Sequence, residues 1–232
     1  MRAVILAGGR GTRLRPYTMV LPKPLVPVGE RPVLDLIVRR LAASGFRSVD
    51  LCIGHLGELI MAYFADERLR PEGMTFRYHR EEEPLGTAGA LRLVEGLTES
   101  FLVMNGDIVT SLDFADLMAF HRTQQSALTI ATTYKEIPLE LGVLQLEGSR
   151  VVGFIEKPVE RFPVSMGIYV YEPSVVARIP AGHFDFPDVV QMLLRDGDHV
   201  ASYLFEGSWF DIGTPGDHER AVRALEVDVE AL

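Results

Sequence analysis

A single cysteine, Cys52, stands in 232 residues, so no internal disulfide can form and no thiolate cluster is available for a structural metal. Set in an apolar run, it reads as buried strand filler. Positive charge is also scarce: 23 Lys and Arg face 32 Asp and Glu, a net charge of -9, and the cations are scattered. That argues against a general nucleic-acid binder, which needs clustered cations, but leaves room for a small anionic ligand held by a few local ones. No apolar stretch approaches membrane-crossing length, and the run after Arg2 is too short for a signal-peptide core. A cytoplasmic protein with neither nucleic acid nor membrane as partner is expected. His79, His121, His183 and His199 are separated and have no metal-ligand or triad spacing, so they read as surface or structural. No hexapeptide periodicity follows Asp211, so no C-terminal β-helix is expected, and low-complexity tracts and internal repeats are absent.

What is present is an α/β rhythm. Ala3–Ala7, Val49–Ile53 and Phe101–Met104 are short apolar runs, and Val33–Leu41 and Glu58–Phe64 carry helical patterns between them. Leu34, Ile37, Val38 and Leu41 share one helical face, with Pro32 positioned to start the helix and Gly45 to stop it. This alternation predicts a Rossmann-like, mostly parallel mixed sheet flanked by helices. After Asp107 the rhythm changes. "GVLQLEGSRVVGFIE" holds two short strands around a Gly148-Ser149 turn, as in an antiparallel hairpin. The expectation is one domain over 1–232, with a nucleotide-binding half at 1–110 and a smaller antiparallel, substrate-facing lobe within 111–232.

The first exposed loop, "LAGGRGTRLRPYT", crowds three glycines and three arginines into Leu6–Thr18, at the carboxyl end of the first strand. That edge is where open α/β sheets bind ligands, and glycines there let backbone amides approach an anion. Two phosphate-binding templates fail. A dinucleotide fingerprint needs a glycine where Leu14 stands, and a Walker loop needs Gly-Lys-Ser/Thr where Gly11-Thr12-Arg13 stands. The loop instead brings its own cations, Arg10, Arg13 and Arg15, and "LPKPLVPV" follows with Lys23 between two stiffening prolines. Tight turns with solvated arginines are common, but Arg13 and Lys23 together favour phosphate binding.

"LAGGRGTRLRP" with "PKPLVPV" resembles the signature of the sugar-1-phosphate nucleotidylyltransferases. "EEEPLGTAGAL", "VMNGD", "GVLQL", "FIEKP", "MGIYVY" and "WFDIGTP" follow in the family's order and span nearly the whole chain. The motifs are closest to those of the mannose-1-phosphate and heptose-1-phosphate guanylyltransferases. The resemblance implies a GT-A-like fold and an enzyme that joins a nucleoside triphosphate to a sugar 1-phosphate with release of pyrophosphate. It implies that Leu6, Ala7, Gly8, Gly9, Gly11, Thr12, Gly86 and Thr87 bind the nucleotide, with Arg13 and Lys23 acting on its phosphates. Asp107 and Asp211 match the family's metal-binding aspartates, a pair suited to Mg2+ because this hard ion takes one or two carboxylates plus phosphate oxygens. Lys157 matches the lysine that holds the sugar phosphate, and Glu156 the carboxylate that accepts from sugar hydroxyls. Gly142 and Gly167 belong to the same sugar-phosphate side. Ser165 stands where many relatives have Asn, a departure that bears on which sugar is accepted.

The base is a chemical question. Guanine presents two neighbouring donors, which suit an acceptor-only carboxylate, whereas uracil and thymine present one N–H between carbonyls and suit an amide. Relatives that use thymidine triphosphate tend to have Gln near the position of Glu81. GTP is therefore favoured, with Glu81 the first candidate reader and Glu83 the second. The rival within enzymes is a UTP- or dTTP-dependent glucose-1-phosphate nucleotidylyltransferase. The rival from another class is a non-catalytic nucleotide-sugar sensor, disfavoured because all five charged positions needed for chemistry are present. Trp209-Phe210 is expected to pack in the core beside Asp211 rather than to stack on a ligand. The sequence leaves oligomeric state open, with a homodimer as one arrangement.

Overall fold

The computed structural model describes residues 1–227. The expected half 111–232 therefore runs into positions 228–232, which lie outside the described residues. In chain order the strands are β1 (Arg2–Ala7), β2 (Pro27–Val28), β3 (Arg31–Pro32), β4 (Ser48–Ile53), β5 (Thr75–Arg80), β6 (Phe101–Asn105) and β7 (Ile108–Thr110). Then come β8 (Leu128–Pro138), β9 (Val143–Glu147), β10 (Arg150–Ile155), β11 (Val159–Tyr171), β12 (Val200–Leu204) and β13 (Trp209–Asp211). The helices are α1 (Val33–Ala43), α2 (Gly57–Tyr63), α3 (Gly86–Gly89), α4 (Phe114–Gln124), α5 (Pro173–Val176), α6 (Phe186–Asp196) and α7 (Pro215–Val227).

Seven strands form one sheet in the order β12-β8-β11-β6-β1-β4-β5. β1 lies between β6 and β4, parallel to both, and β4 continues parallel to β5. β11 is the exception. It runs antiparallel to both β6 and β8, so the sheet is mixed although mostly parallel. The near-continuous apolar runs of β1, β4 and β6 follow from burial on both faces. Their period of two sorts the side chains into two cores. Ile5, Leu51 and Met104 face α1, α2 and α4, with Leu34, Val38, Ile60 and Phe114 packed on that side. Val4, Cys52 and Val103 face the opposite layer, with Tyr171, Val189 and Leu193. Cys52 is thus buried strand filler, as its sequence context implies.

Local signals fix the helix ends. α1 begins directly after Pro32 and ends before Gly45, whose φ of +85° continues no helix. α4 is capped by Asp113, whose carboxylate accepts from the amides of Ala115 and Asp116. α6 opens with a reciprocal capping box of Asp185 and Asp188 and closes at Gly197. The hairpin β9–β10 turns at Gly148-Ser149, pairing Glu147 with Arg150, and forms a separate two-stranded sheet. The outer ends of β8 and β11 continue their antiparallel pairing as a ribbon out to Val159 opposite Pro138. The inner end of β11 belongs to the main sheet, so strands from both sides of residue 110 share one core. Among the described residues no helix is long and apolar enough to cross a membrane.

Candidate active site

β1 ends at Ala7, and the chain then enters the glycine loop. Gly8 lies against Glu81: a Cβ there would overlap the Glu81 carboxylate oxygen Oε1 and displace that side chain. Gly11 adopts a left-handed conformation, φ +58°, and its carbonyl accepts from the Thr18 hydroxyl at 2.7 Å and the Leu14 amide at 2.9 Å. These bonds hold the loop over the end of the sheet.

A cavity of about 280 Å³ opens at that edge. It gathers Leu6, Ala7, Gly8, Gly9, Lys23, Glu81, Gly86, Thr87 and Asp107 from the expected site, with Pro24, Pro84, Asn105 and Gly106 beside them. The last four were not singled out in the sequence, although Asn105 and Gly106 sit within "VMNGD" and Pro24 within "PKPLVPV". Gly11, Thr12, Arg13 and Glu83 are not among the lining residues. Glu83 is exposed and lines a neighbouring depression with Arg10, His55 and Arg80. Thr87 is engaged in structure: its amide and hydroxyl donate to Asp185 at 2.9 and 3.1 Å, and its hydroxyl accepts from the Phe186 amide at 2.8 Å.

Glu81 is half-buried. Burial raises its pKa above the ordinary carboxylate range, opposed by the Leu85 amide, which donates to Oε2 at 3.0 Å. One carboxylate oxygen is therefore committed to the protein's own loop, and Oε1 has no such partner among the described residues.

Asp107 and Asp211 are brought together by backbone pairing. β7 and β13 run antiparallel with Asp211 opposite Ile108, and the Ile212 amide donates to the Asp107 carbonyl oxygen at 2.9 Å. Lys23, held in a short 3-10 turn between its prolines, donates its ammonium to Asp107 Oδ2. Asp107 Oδ1 is buried without a hydrogen-bond partner. Burial and the Asp107 charge raise the pKa of Asp211, against the pull of Lys23 and Arg13. Among the described residues no three His, Cys, Asp or Glu side chains cluster to hold an ion. Two carboxylates, one with an orphaned buried oxygen, fit an ion that completes its shell with ligand oxygens and water, as Mg2+ does.

A second cavity, about 320 Å³, borders Asp211 and contains Arg13. Tyr134, Lys135, Trp209, Phe210, Gly213, Asp217 and Arg220 complete its lining. Lys135 and Arg220 were missed in the sequence because neither lies in a recognisable motif. The Trp209 indole donates to the Met166 carbonyl at 3.0 Å, and Trp209 and Phe210 pack against the core, as expected for the pair.

The acceptor-side residues are more dispersed. Glu156 and Lys157 are exposed just beyond β10, and Lys157 has φ +44° with its ammonium 3.9 Å from Glu140. A Cβ on Gly142 would lie 2.4 Å from the Phe154 ring and 3.2 Å from the Glu156 carboxylate, so this glycine sits against that hairpin. The Ser165 hydroxyl accepts from the Gly167 amide and donates to the Tyr169 hydroxyl, each at 3.2 Å, which makes it a local brace. Gly142, Glu156, Lys157, Ser165 and Gly167 line neither cavity. Of the histidines, His121 is fully buried between Thr129 and Glu172, and His79 bonds Asp50 at 2.7 Å, both structural roles.

Residues 2–227 match the nucleotidyl transferase family, and the chain belongs to it. Its curated relatives include the mannose-1-phosphate guanyltransferase of Neurospora crassa, 35% identical over 227 residues, covering 94% of this chain and 62% of the relative. The mannose-1-phosphate guanylyltransferase of Mycobacterium tuberculosis is 36% identical over 228 residues with the same two coverages. The chain thus spans 62% of the length of these relatives. Among solved structures, HddC from Yersinia pseudotuberculosis superimposes with a TM-score of 0.74 at 25% identity, covering 97% of this chain and 99% of that one. The UDP-glucose pyrophosphorylase of Acinetobacter baumanii, 20% identical with a TM-score of 0.73 over 98% of this chain and 93% of that one, shares the fold.

Proposed function

We propose that this chain transfers a nucleotidyl group from GTP to a mannose-like hexose or heptose 1-phosphate, forming a nucleoside diphosphate sugar and releasing pyrophosphate. The observation that carries the reading is the pairing of Asp107 with the Asp211 segment, beside a glycine-lined cavity and with Lys23 on Asp107. The names of the curated relatives support both the reaction and the base.

In the proposed reaction an oxygen of the sugar phosphate attacks the α-phosphorus. The bond from that phosphorus to the bridging oxygen breaks, and the electron pair leaves with pyrophosphate. The incoming oxygen is already deprotonated, so the chain needs no general base. Its work is positioning and charge stabilisation. Mg2+, held by Asp107 and Asp211, would supply positive charge to the phosphate oxygens. Lys23 holds the triphosphate near the α-phosphate. Arg13 steadies the reacting and leaving phosphates from the neighbouring cavity. Glu81 lies in the cavity with Oε1 free to accept from the guanine edge, while Glu83 is outside it, which favours Glu81 as the reader. Lys157 and Glu156, exposed between β10 and β11, receive the sugar phosphate and its hydroxyls. These substrates are those of cytoplasmic nucleotide-sugar synthesis, and a homodimer is compatible with the reading.

A screen of four nucleoside triphosphates against several sugar 1-phosphates, read by pyrophosphate release with Mg2+ present, tests it. GTP with mannose 1-phosphate or a mannose-like relative is expected to be the best pair. Preference for UTP or dTTP with glucose 1-phosphate would replace the substrates, and nucleotide-sugar binding without turnover would favour the sensor.

A further inference from the structure

Arg13 lies in the second cavity and not in the first, although it belongs to the loop that roofs the first. Asp107 lines one cavity and Asp211 the other, so the aspartate pair marks their junction. A Cβ built on Gly213 would lie 3.4 Å from Asp217 Oδ2 and 3.6 Å from both Arg13 Nη2 and Asp211 Oδ1, so the guanidinium and two carboxylates flank the same backbone point. Lys135, from β8, and Arg220, from α7, also line this cavity.

The charges there are unevenly committed. Asp217 is occupied, accepting from the Thr214 hydroxyl at 2.7 Å and from Arg220 Nη2 at 2.6 Å. Arg220 keeps its remaining donors. Arg13 and Lys135 make no ion pair or side-chain hydrogen bond among the described residues. Two uncommitted cations and a third with donors to spare therefore converge on one space beside the reacting centre. A triphosphate with its base at Glu81 and its α-phosphate at the aspartates would have this neighbouring space open to its remaining phosphates. Lys157 does not line this cavity, which separates it from the proposed acceptor side.

Resting on the reaction proposed above, we infer that Lys135 and Arg220 complete, with Arg13, a diphosphate seat. It binds the β- and γ-phosphates of the triphosphate and then the departing pyrophosphate. Lys135 supplies a point charge and Arg220 directional donors, while Asp217 holds the Arg220 guanidinium in place.

The test is the reverse reaction, in which a pyrophosphate oxygen attacks the nucleotidyl phosphorus of the nucleotide sugar and the sugar phosphate leaves. Lys135→Gln and Arg220→Gln are each expected to raise the KM for pyrophosphate on the order of tenfold. The KM values for nucleotide sugar and, in the forward direction, sugar 1-phosphate should change less than about twofold on this scale. Lys135→Arg, which keeps the charge, should restore most of the pyrophosphate affinity. An unchanged KM for pyrophosphate in Lys135→Gln, or a rise confined to the sugar 1-phosphate, would overturn the assignment. If the wild-type chain turns over no substrate pair, the proposed reaction fails by itself. Calorimetric titration with magnesium pyrophosphate then decides the seat: weaker binding by Lys135→Gln upholds it, and equal binding overturns it.

Discussion

The Ile212 amide donates to the Asp107 carbonyl across 2.9 Å, so a short antiparallel contact between β7 and β13 brings Asp107 and Asp211, the proposed metal ligands, into one neighbourhood. An amide at either position cannot replace the charge that a hard cation needs. Asp107→Asn and Asp211→Asn should each lower turnover on the order of 100-fold, with thermal stability little changed. Chelator should abolish pyrophosphate release and Mg2+ restore it; full activity in chelator would contradict the metal assignment.

Lys23 and Lys157, the two lysines proposed to bind phosphate, should separate kinetically. Lys23 donates to Asp107 inside the cavity, whereas Lys157 is exposed between β10 and β11. Lys23→Ala is expected to impair triphosphate use, and Lys157→Ala mainly to raise the KM for sugar 1-phosphate. Initial-rate measurements with each substrate varied in turn check this, and equal effects of both variants on both substrates would count against it.

Glu81 should govern the base. Its Oε2 is taken by the Leu85 amide, which leaves Oε1 as the acceptor. Glu81→Gln supplies a donor where guanine also donates, a mismatch of about 1 to 3 kcal/mol. The ratio of kcat/KM for GTP over UTP should fall about tenfold or more on that basis. A ratio that moves only in Glu83→Gln would transfer the role to that residue.

Acid should weaken the fold through Asp50. This carboxylate, wholly buried in β4, accepts from Arg2 Nε at 2.6 Å, Arg2 Nη2 at 2.9 Å and His79 at 2.7 Å. Burial opposes its charge, but the hydrogen bonds and charges of Arg2 and His79 outweigh burial and hold the pKa below the ordinary range. A depressed folded pKa means the stabilisation is present above the unfolded value, near 4. It is lost as pH falls through the folded one. Urea unfolding followed from pH 7 down to pH 3 should show this loss. Asp50→Asn should flatten that acid limb and cost about 2 to 3 kcal/mol at pH 7. An acid limb of the same size in Asp50→Asn would place the sensitivity elsewhere.

The sequence by itself determined the elements whose signals are local. The apolar run of β1, the helical face of α1 between Pro32 and Gly45, and the Gly148-Ser149 hairpin were legible because period and turn chemistry act within a few residues. The glycine loop, Lys23 and both aspartates were legible for a related reason, since each lies in a compact motif tied to a strand end.

The tertiary structure alone decided what depends on distant pairing. That β11 inserts antiparallel between β6 and β8 leaves no trace in its own composition. The division of the site into two cavities, with Arg13 in the one beside Asp211, follows from where the glycine loop and α7 pack. Lys135 and Arg220 reach that cavity from a strand and a helix 85 positions apart by their numbering, with no shared pattern. Local periodicity records which face of an element is buried. It carries no information about which other element supplies the burial, and that choice brings these cations together.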